Sequence, residues 1–194
     1  MQKLKDLYDY CQNLSVPPRI KRAVIESKIR ELTGLEARVF IVDLDHEVCR
    51  GIFISASNVD VPLVRQANGK AVIAIARNLN RCWDRFVQVK ELMHLFDIEE
   101  EQTPTEEKFL GLLTDFVVNL PDQETSKQMA SETRAILMAL ACLCPEPKRL
   151  EFASAYARRE MDHYGIAVQL RIPEHFVPYL LIPRFPEIVA SFWQ

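Results

Sequence analysis

Apolar residues recur along this chain with two different periods, and the changes of period divide it. Leu4, Leu7, Tyr8, Cys11 and Leu14 fall at helical spacing and predict a first helix over 2–14. Ser15 followed by Pro17-Pro18 marks the start of a second, because proline suits a first helical turn. Its stripe is Ile20, Val24, Ile25, Ile29 and Leu32, with Gly34 as the stop. The period then shortens. Residues 37–44 and 49–55 are short and rich in β-branched side chains, and the polar turn at 45–47 between them predicts a hairpin. Residues 56–70 read as loop, and the wholly apolar run 71–76 reads as a strand buried on both faces, central in its sheet.

Helical spacing returns at residue 79. One helix is expected over 79–98. A capping box with proline at its first helical position, Thr103-Pro104-Thr105-Glu106, opens the next, whose stripe runs through Phe109, Leu113, Phe116 and Leu120. Others follow over 126–143 and 147–163, with short helices from Pro173 to Leu180 and over 185–193. Glu99-Glu100-Glu101 reads as a solvated helix end. The order, with strands grouped early and helices late, is that of an α+β domain.

Composition adds bounds. The 194 residues suit one domain over 1–194 with one core: helices over 1–36, the sheet and motif helix over 37–98, and a helical half over 99–194. A net charge of −3 carries no basic footprint of nucleic-acid binding. The first helices do hold Lys3, Lys5, Arg19, Lys21, Arg22, Lys28 and Arg30, which read as a solvated face rather than a helix-turn-helix. No apolar run approaches the ~20 residues that span a bilayer, and the start lacks a secretory h-region. Five cysteines without framework spacing, with Cys142 and Cys144 as core thiols, fit a reducing cytoplasm.

One helix carries chemistry. Phe86-Val87-Gln88-Val89-Lys90-Glu91-Leu92-Met93-His94-Leu95-Phe96 is apolar around most of its circumference, so it is expected to be buried. Lys90, Glu91 and His94 nevertheless lie within one turn of each other, and buried charges must be paired, neutralised or bound to a metal. Glu132 falls on the stripe of Met129, Ile136, Leu140 and Leu143, and a glutamate there needs a partner. The expectation is that it faces the Glu91/His94 cluster. His46, in the expected turn, and His175 read as surface groups, and His163 as the end of a helix, where a cation suits the dipole. Trp83 and Trp193 read as packing anchors.

Taken together, these segments resemble the ImmA/IrrE metallopeptidase family over about residues 36–182. Residues 71–78 look like the strand leading into the family's motif helix. Arg85-Phe86 precedes the motif as it commonly does there, and residues 90–96 look like His-Glu-Leu-Gly-His-Leu-Leu. Residues 132–145 are similar to the family's Glu-x-x-Ala block, and 164–168 to the segment before its last helix. The resemblance implies a zincin-like fold with a three-stranded sheet packed on the helical bundle. It implies zinc held by His94 and Glu132, Glu91 as the base that activates the metal-bound water, and a cytoplasmic role in bacterial, phage or mobile-element stress or immunity circuits. The partner it implies is a transcriptional regulator, with no membrane involved.

Two departures change that implication. Lys90 stands in place of the first histidine ligand and Met93 in place of the small glycine. Only His94 and Glu132 then remain of the three protein ligands a catalytic zinc takes. The expected function is therefore a pseudo-peptidase that binds its regulatory partner uncut. In that reading the Lys90 ammonium supplies the missing positive charge and leaves His94 neutral. The alternative is an active metal-dependent endopeptidase that cleaves a repressor, with Asp97 or Glu91 as substitute ligand.

Overall fold

The computed structural model describes residues 1–14, 19–98, 101 and 127–194. Helices α1 (Gln2–Gln12) and α2 (Arg22–Thr33) come first. Gly34, at φ 73°, ends α2 in the left-handed conformation and returns its N–H to the Arg30 carbonyl. Strands β1 (Ala37–Val42), β2 (Gly51–Ile54) and β3 (Ala71–Ala76) follow, with α3 (Pro62–Gln66) between the last two. Next come α4 (Arg81–Met93) and a 3₁₀ turn, His94–Phe96. Beyond them lie α5 (Lys127–Leu143), α6 (Glu146–Ala157), α7 (His163–Leu170), α8 (Val177–Leu180) and α9 (Phe185–Ala190). The architecture is α+β, with a small mixed sheet against helices.

The sheet order is β1-β3-β2. Every residue of β3 is buried, so the strand without a polar face occupies the middle, as its sequence requires. The expected hairpin does not form. The turn itself is present, with Val48 and Cys49 donating to the Asp45 carbonyl, but it separates strands that do not pair with each other. β1 runs parallel to β3, with Ala37 opposite Ala71, and β2 runs antiparallel to it, with Gly51 opposite Ile75. Between two half-exposed strands, the fully apolar β3 gains more from the central position than either neighbour would.

One continuous core joins Leu4, Leu7 and Ile25 of the first helices to Ile73, Phe86, Met138, Ile166 and Val189. A smaller cluster under α3 covers the other sheet face around Val72 and Ala74, so 56–70 is not wholly loop as expected. Cys142 and Cys144 are core thiols, and burial pushes Cys144 up to about 12. The helix expected over 147–163 ends early, at Ala157. The chain leaves α6 at Ala157, turns through Arg159 at φ 60°, and restarts at the cap Asp162, whose carboxylate accepts from the Gly165 N–H. His163 therefore opens a helix instead of ending one. The expected features at 15–18, 103–106 and 109–120 lie outside the described residues. Among those described, no helix is long and apolar enough to cross a membrane.

Three groups set the frame around α4. The Asn80 side chain caps its start by accepting from the Cys82 and Trp83 N–H groups, each at 3.0 Å. Arg85 donates to the carbonyls of Leu170, Arg171 and Ile20, tying α4 to the end of α7 and to the approach to α2. Burial, with Arg19 and Arg171 nearby, lowers its guanidinium to about 10. Gly51 lets β2 lie directly on α4: a Cβ there would overlap Val87 Cγ1. Trp83 and Trp193 both act as anchors, the first under the Arg50 guanidinium at 4.0 Å and the second against Tyr8 at 5.1 Å.

Candidate functional site

The buried end of α4 brings its chemistry to one place. Lys90 lies in the last turn, where a cation suits the helix dipole, and His94 is the C-cap residue that opens the 3₁₀ turn. Lys90 Nζ is 2.7 Å from Glu132 Oε2 of α5 and 2.7 Å from Glu91 Oε1. His94 Nε2 is 3.3 Å from Glu132 Oε1 and 3.7 Å from Glu91 Oε2. All four sequence-expected site residues therefore converge.

They do not converge as tidy hydrogen bonds. The Lys90–Glu132 contact is aligned. Glu91 Oε1 and His94 Nε2 lie close to opposite charges, yet neither has a partner along a hydrogen-bonding direction. Charge holds them, and Glu91 is only 2% exposed.

A second layer was not legible as a site. Asp97 Oδ2 is 2.6 Å from His94 Nδ1, so it does not replace a ligand but orients the imidazole. Ser131 Oγ donates to the same Asp97 oxygen at 2.6 Å. Arg134 donates to Asp97 Oδ1 at 2.7 Å and to both Glu101 oxygens at 3.0 and 2.8 Å. Glu101, expected in solvent, is thereby a half-buried ion-pair partner. At its start the face of α5 that meets the core is displaced by a residue from the expected stripe, while Leu140 and Leu143 farther along are buried as expected. Ser131, Ala135, Met138 and Cys142 are buried, while Glu132 sits at the margin with its side chain 30% exposed. Polar Ser131 and Arg134 masked that face in the sequence. Their signal was weak: Asp97 follows His94 by one turn, and the two α5 residues are three apart.

The titration behaviour follows from this geometry. Burial pulls the Lys90 ammonium down, but Glu91 and Glu132 outweigh it and hold the group well above its ordinary value. Burial also pulls His94 down, while the hydrogen bond to Asp97 and the nearby Glu132 carboxylate raise it to about 9. His94 is therefore an imidazolium at neutral pH, contrary to the neutral ring expected from the sequence. Glu132 is held well below the carboxylate range: Lys90 and His94 prevail over the desolvation that would raise it. Asp97 is held down in the same way by His94, Ser131 and Arg134.

Two catalytic readings fail on geometry. Ser131, His94 and Asp97 are not a hydrolase triad, because serine and aspartate both address Nδ1, whereas a triad places them on opposite ring nitrogens. Lys90 is not a nucleophile, because its amine is charged and bound to two acids. The residues do not fit the metal that the resemblance implies either. The Lys90 ammonium already lies between the two carboxylates such an ion would meet. Among the described residues no group of three or more His, Cys, Asp or Glu side chains is placed to hold a metal.

Beside the cluster, a cleft of about 320 Å³ opens between the sheet and the 3₁₀ turn, lined by Gly34, Phe53, Gly69, Lys70, His94 and Asp97 among others. The Phe53 ring lies 5.9 Å from His94. Away from the site, His175 is exposed and packs on Trp83 at 4.9 Å, His163 stacks on Tyr156 at 4.7 Å, and His46 is half-buried in its turn. No family model, curated protein or solved structure matches this chain.

Proposed function

We propose that the chain is a zincin-like, ImmA/IrrE-type peptidase fold that has given up hydrolysis and binds a regulatory protein, a transcriptional regulator of a bacterial, phage or mobile-element circuit, without cutting it. One observation carries the reading: Glu91, the residue in the position of the catalytic base, is committed to Lys90 at 2.7 Å and is 2% exposed. A general base must reach the water it deprotonates. Here an ammonium stands against the carboxylate instead, and among the described residues no group in the cluster is free to activate water in its place.

What remains suits recognition. β2 is an edge strand of the sheet, and the cleft beside it has an aromatic wall at Phe53 and a polar floor at His94. Such a groove holds an extended protein segment through backbone pairing and side-chain pockets. The test is direct. Purified chain is mixed with transcriptional regulators encoded near its gene, with and without added zinc, and analysed by size-exclusion chromatography and intact mass. A stable complex with both chains full length is expected. Zinc-dependent cleavage that disappears in Glu91→Gln returns the chain to the peptidases, and absence of any complex removes the proposed partner class.

A further inference from the structure

We propose that the Lys90 ammonium is the resident cation of this site, occupying the position a divalent metal would take and making the fold independent of metal. The charges of the cluster carry this whether or not a protein binds the cleft.

Glu91 and Glu132 come from different helices and both meet Lys90. Two carboxylates brought together in a poorly solvated place repel, and one protonates unless a cation lies between them. A metal ion is one solution. Lys90 is another: its side chain is 14% exposed, and its Nζ is 2.7 Å from an oxygen of each acid. An ammonium has three donors and no acceptor, so it satisfies carboxylates and repels any second cation. The His94 contacts point the same way. Asp97 fixes Nδ1, as a carboxylate does behind a metal-bound histidine, yet Nε2 has no aligned partner. What faces Nε2 is the pair of acids, Glu132 Oε1 at 3.3 Å and Glu91 Oε2 at 3.7 Å, the same two that meet Lys90. Among the described residues, Lys90 thus supplies the one cation that contacts both acids at 2.7 Å.

The experiment compares the full natural chain with Lys90→His by elemental analysis, calorimetric zinc titration, and thermal unfolding in chelator and in excess zinc. The natural chain is expected to carry no stoichiometric zinc and to unfold at the same midpoint in both solutions. Lys90→His is expected to gain one zinc equivalent and a midpoint that rises with zinc. Stoichiometric zinc in the natural chain, or a midpoint lowered by chelator, overturns the proposal. Should Lys90→His fail to fold, Lys90→Gln and the double variant Lys90→Gln/Glu132→Gln decide it without metal. The double variant is expected to be the more stable of the two, because it removes a charge the ammonium had balanced. A double variant no more stable than the single one shows that Lys90 is not the counter-ion.

Discussion

The molecule buries charge in two ways. At Arg149 of α6, Nε and Nη2 donate to the two Glu146 oxygens at 2.6 and 2.7 Å, and Nη1 donates to the carbonyls of Leu180 and Ile182. The guanidinium is 4% exposed and each nitrogen is used; it latches α6 to the end of α8. At Lys90 the charges are hidden too, but two polar atoms lack aligned partners, three different segments contribute, and a cleft opens alongside. A fully satisfied network makes a rigid joint. A network held by charge, with unused hydrogen-bonding capacity next to open space, is what binding or catalysis leaves behind. The difference lies in how polar atoms are satisfied, not in how many charges are buried.

The largest effect should come from removing the ammonium. Lys90→Met leaves Glu91 and Glu132, among the described residues, with only the His94 imidazolium facing them, and is expected to cost roughly 4 kcal/mol in urea unfolding, as breaking a buried pair does. Adding Glu132→Gln should return a large part of it. A Lys90→Met protein as stable as the natural chain would mean that the acids find other partners, and the contrast between the two centres would fall.

The next effect is a pH dependence that only the Lys90 centre should show. His94 faces Asp97, Glu132, Glu91, Lys90 and Ser131, and is raised from 6.5 to about 9. A group raised in the folded state stabilises fully below its unfolded value and loses that stabilisation as pH rises through the folded value. Unfolding free energy should therefore fall between pH 6.5 and about 9, by on the order of 3 kcal/mol. The depressed Asp97 and Glu132 have the opposite sign: their stabilisation is present above about pH 4 and is lost as pH falls through their folded values. The centre thus contributes most in mildly acidic solution. Denaturant titrations at several pH values check this, and His94→Gln should abolish the alkaline slope. An unchanged slope in that variant would place its origin elsewhere.

The contrast also explains what the sequence disclosed. Lys90, Glu91 and His94 were legible because they interrupt an apolar helix at one-turn spacing, and β3 was legible as the central strand because it has no polar face. Glu132 was found by a stripe one residue out of register, and it still faced the cluster because the margin of a helix can reach across to its neighbour. Asp97, Ser131, Arg134 and Glu101 were not legible as a set. Each is an ordinary polar residue, and only the packing of α5 on the 3₁₀ turn gives them common partners. The hairpin failed for a related reason: a turn sequence fixes where the chain reverses, not which strand takes the centre. That choice depends on burial summed over all three strands.

A smaller loss is expected at the latch. Arg149→Met should cost roughly 2 kcal/mol by stranding the Leu180 and Ile182 carbonyls. Adding Glu146→Gln should recover little, because Glu146 does not share its cation with a second carboxylate, whereas Glu132 shares Lys90 with the buried Glu91. A rescue as large as the one at Glu132 would show that the two centres store charge in the same way after all.

The smallest effect is the sharpest control. Arg158 meets Glu160 through Nε and Nη2 at 2.7 and 2.8 Å, nearly the geometry of Arg149 on Glu146. Both side chains are more than half exposed. Each end of this pair exchanges one set of hydrogen bonds with water for another, and salt screens the rest of the attraction. Each group's titration is shifted by its partner first, with desolvation opposing it. Arg158→Met is therefore expected to leave the urea midpoint unchanged within error, at low salt as at high. The same substitution at Arg149 breaks a bidentate pair of the same geometry and should move the midpoint clearly. If the two variants shift it equally, the bond itself matters and burial does not, and the ranking of the buried centres would have to be rebuilt from geometry alone.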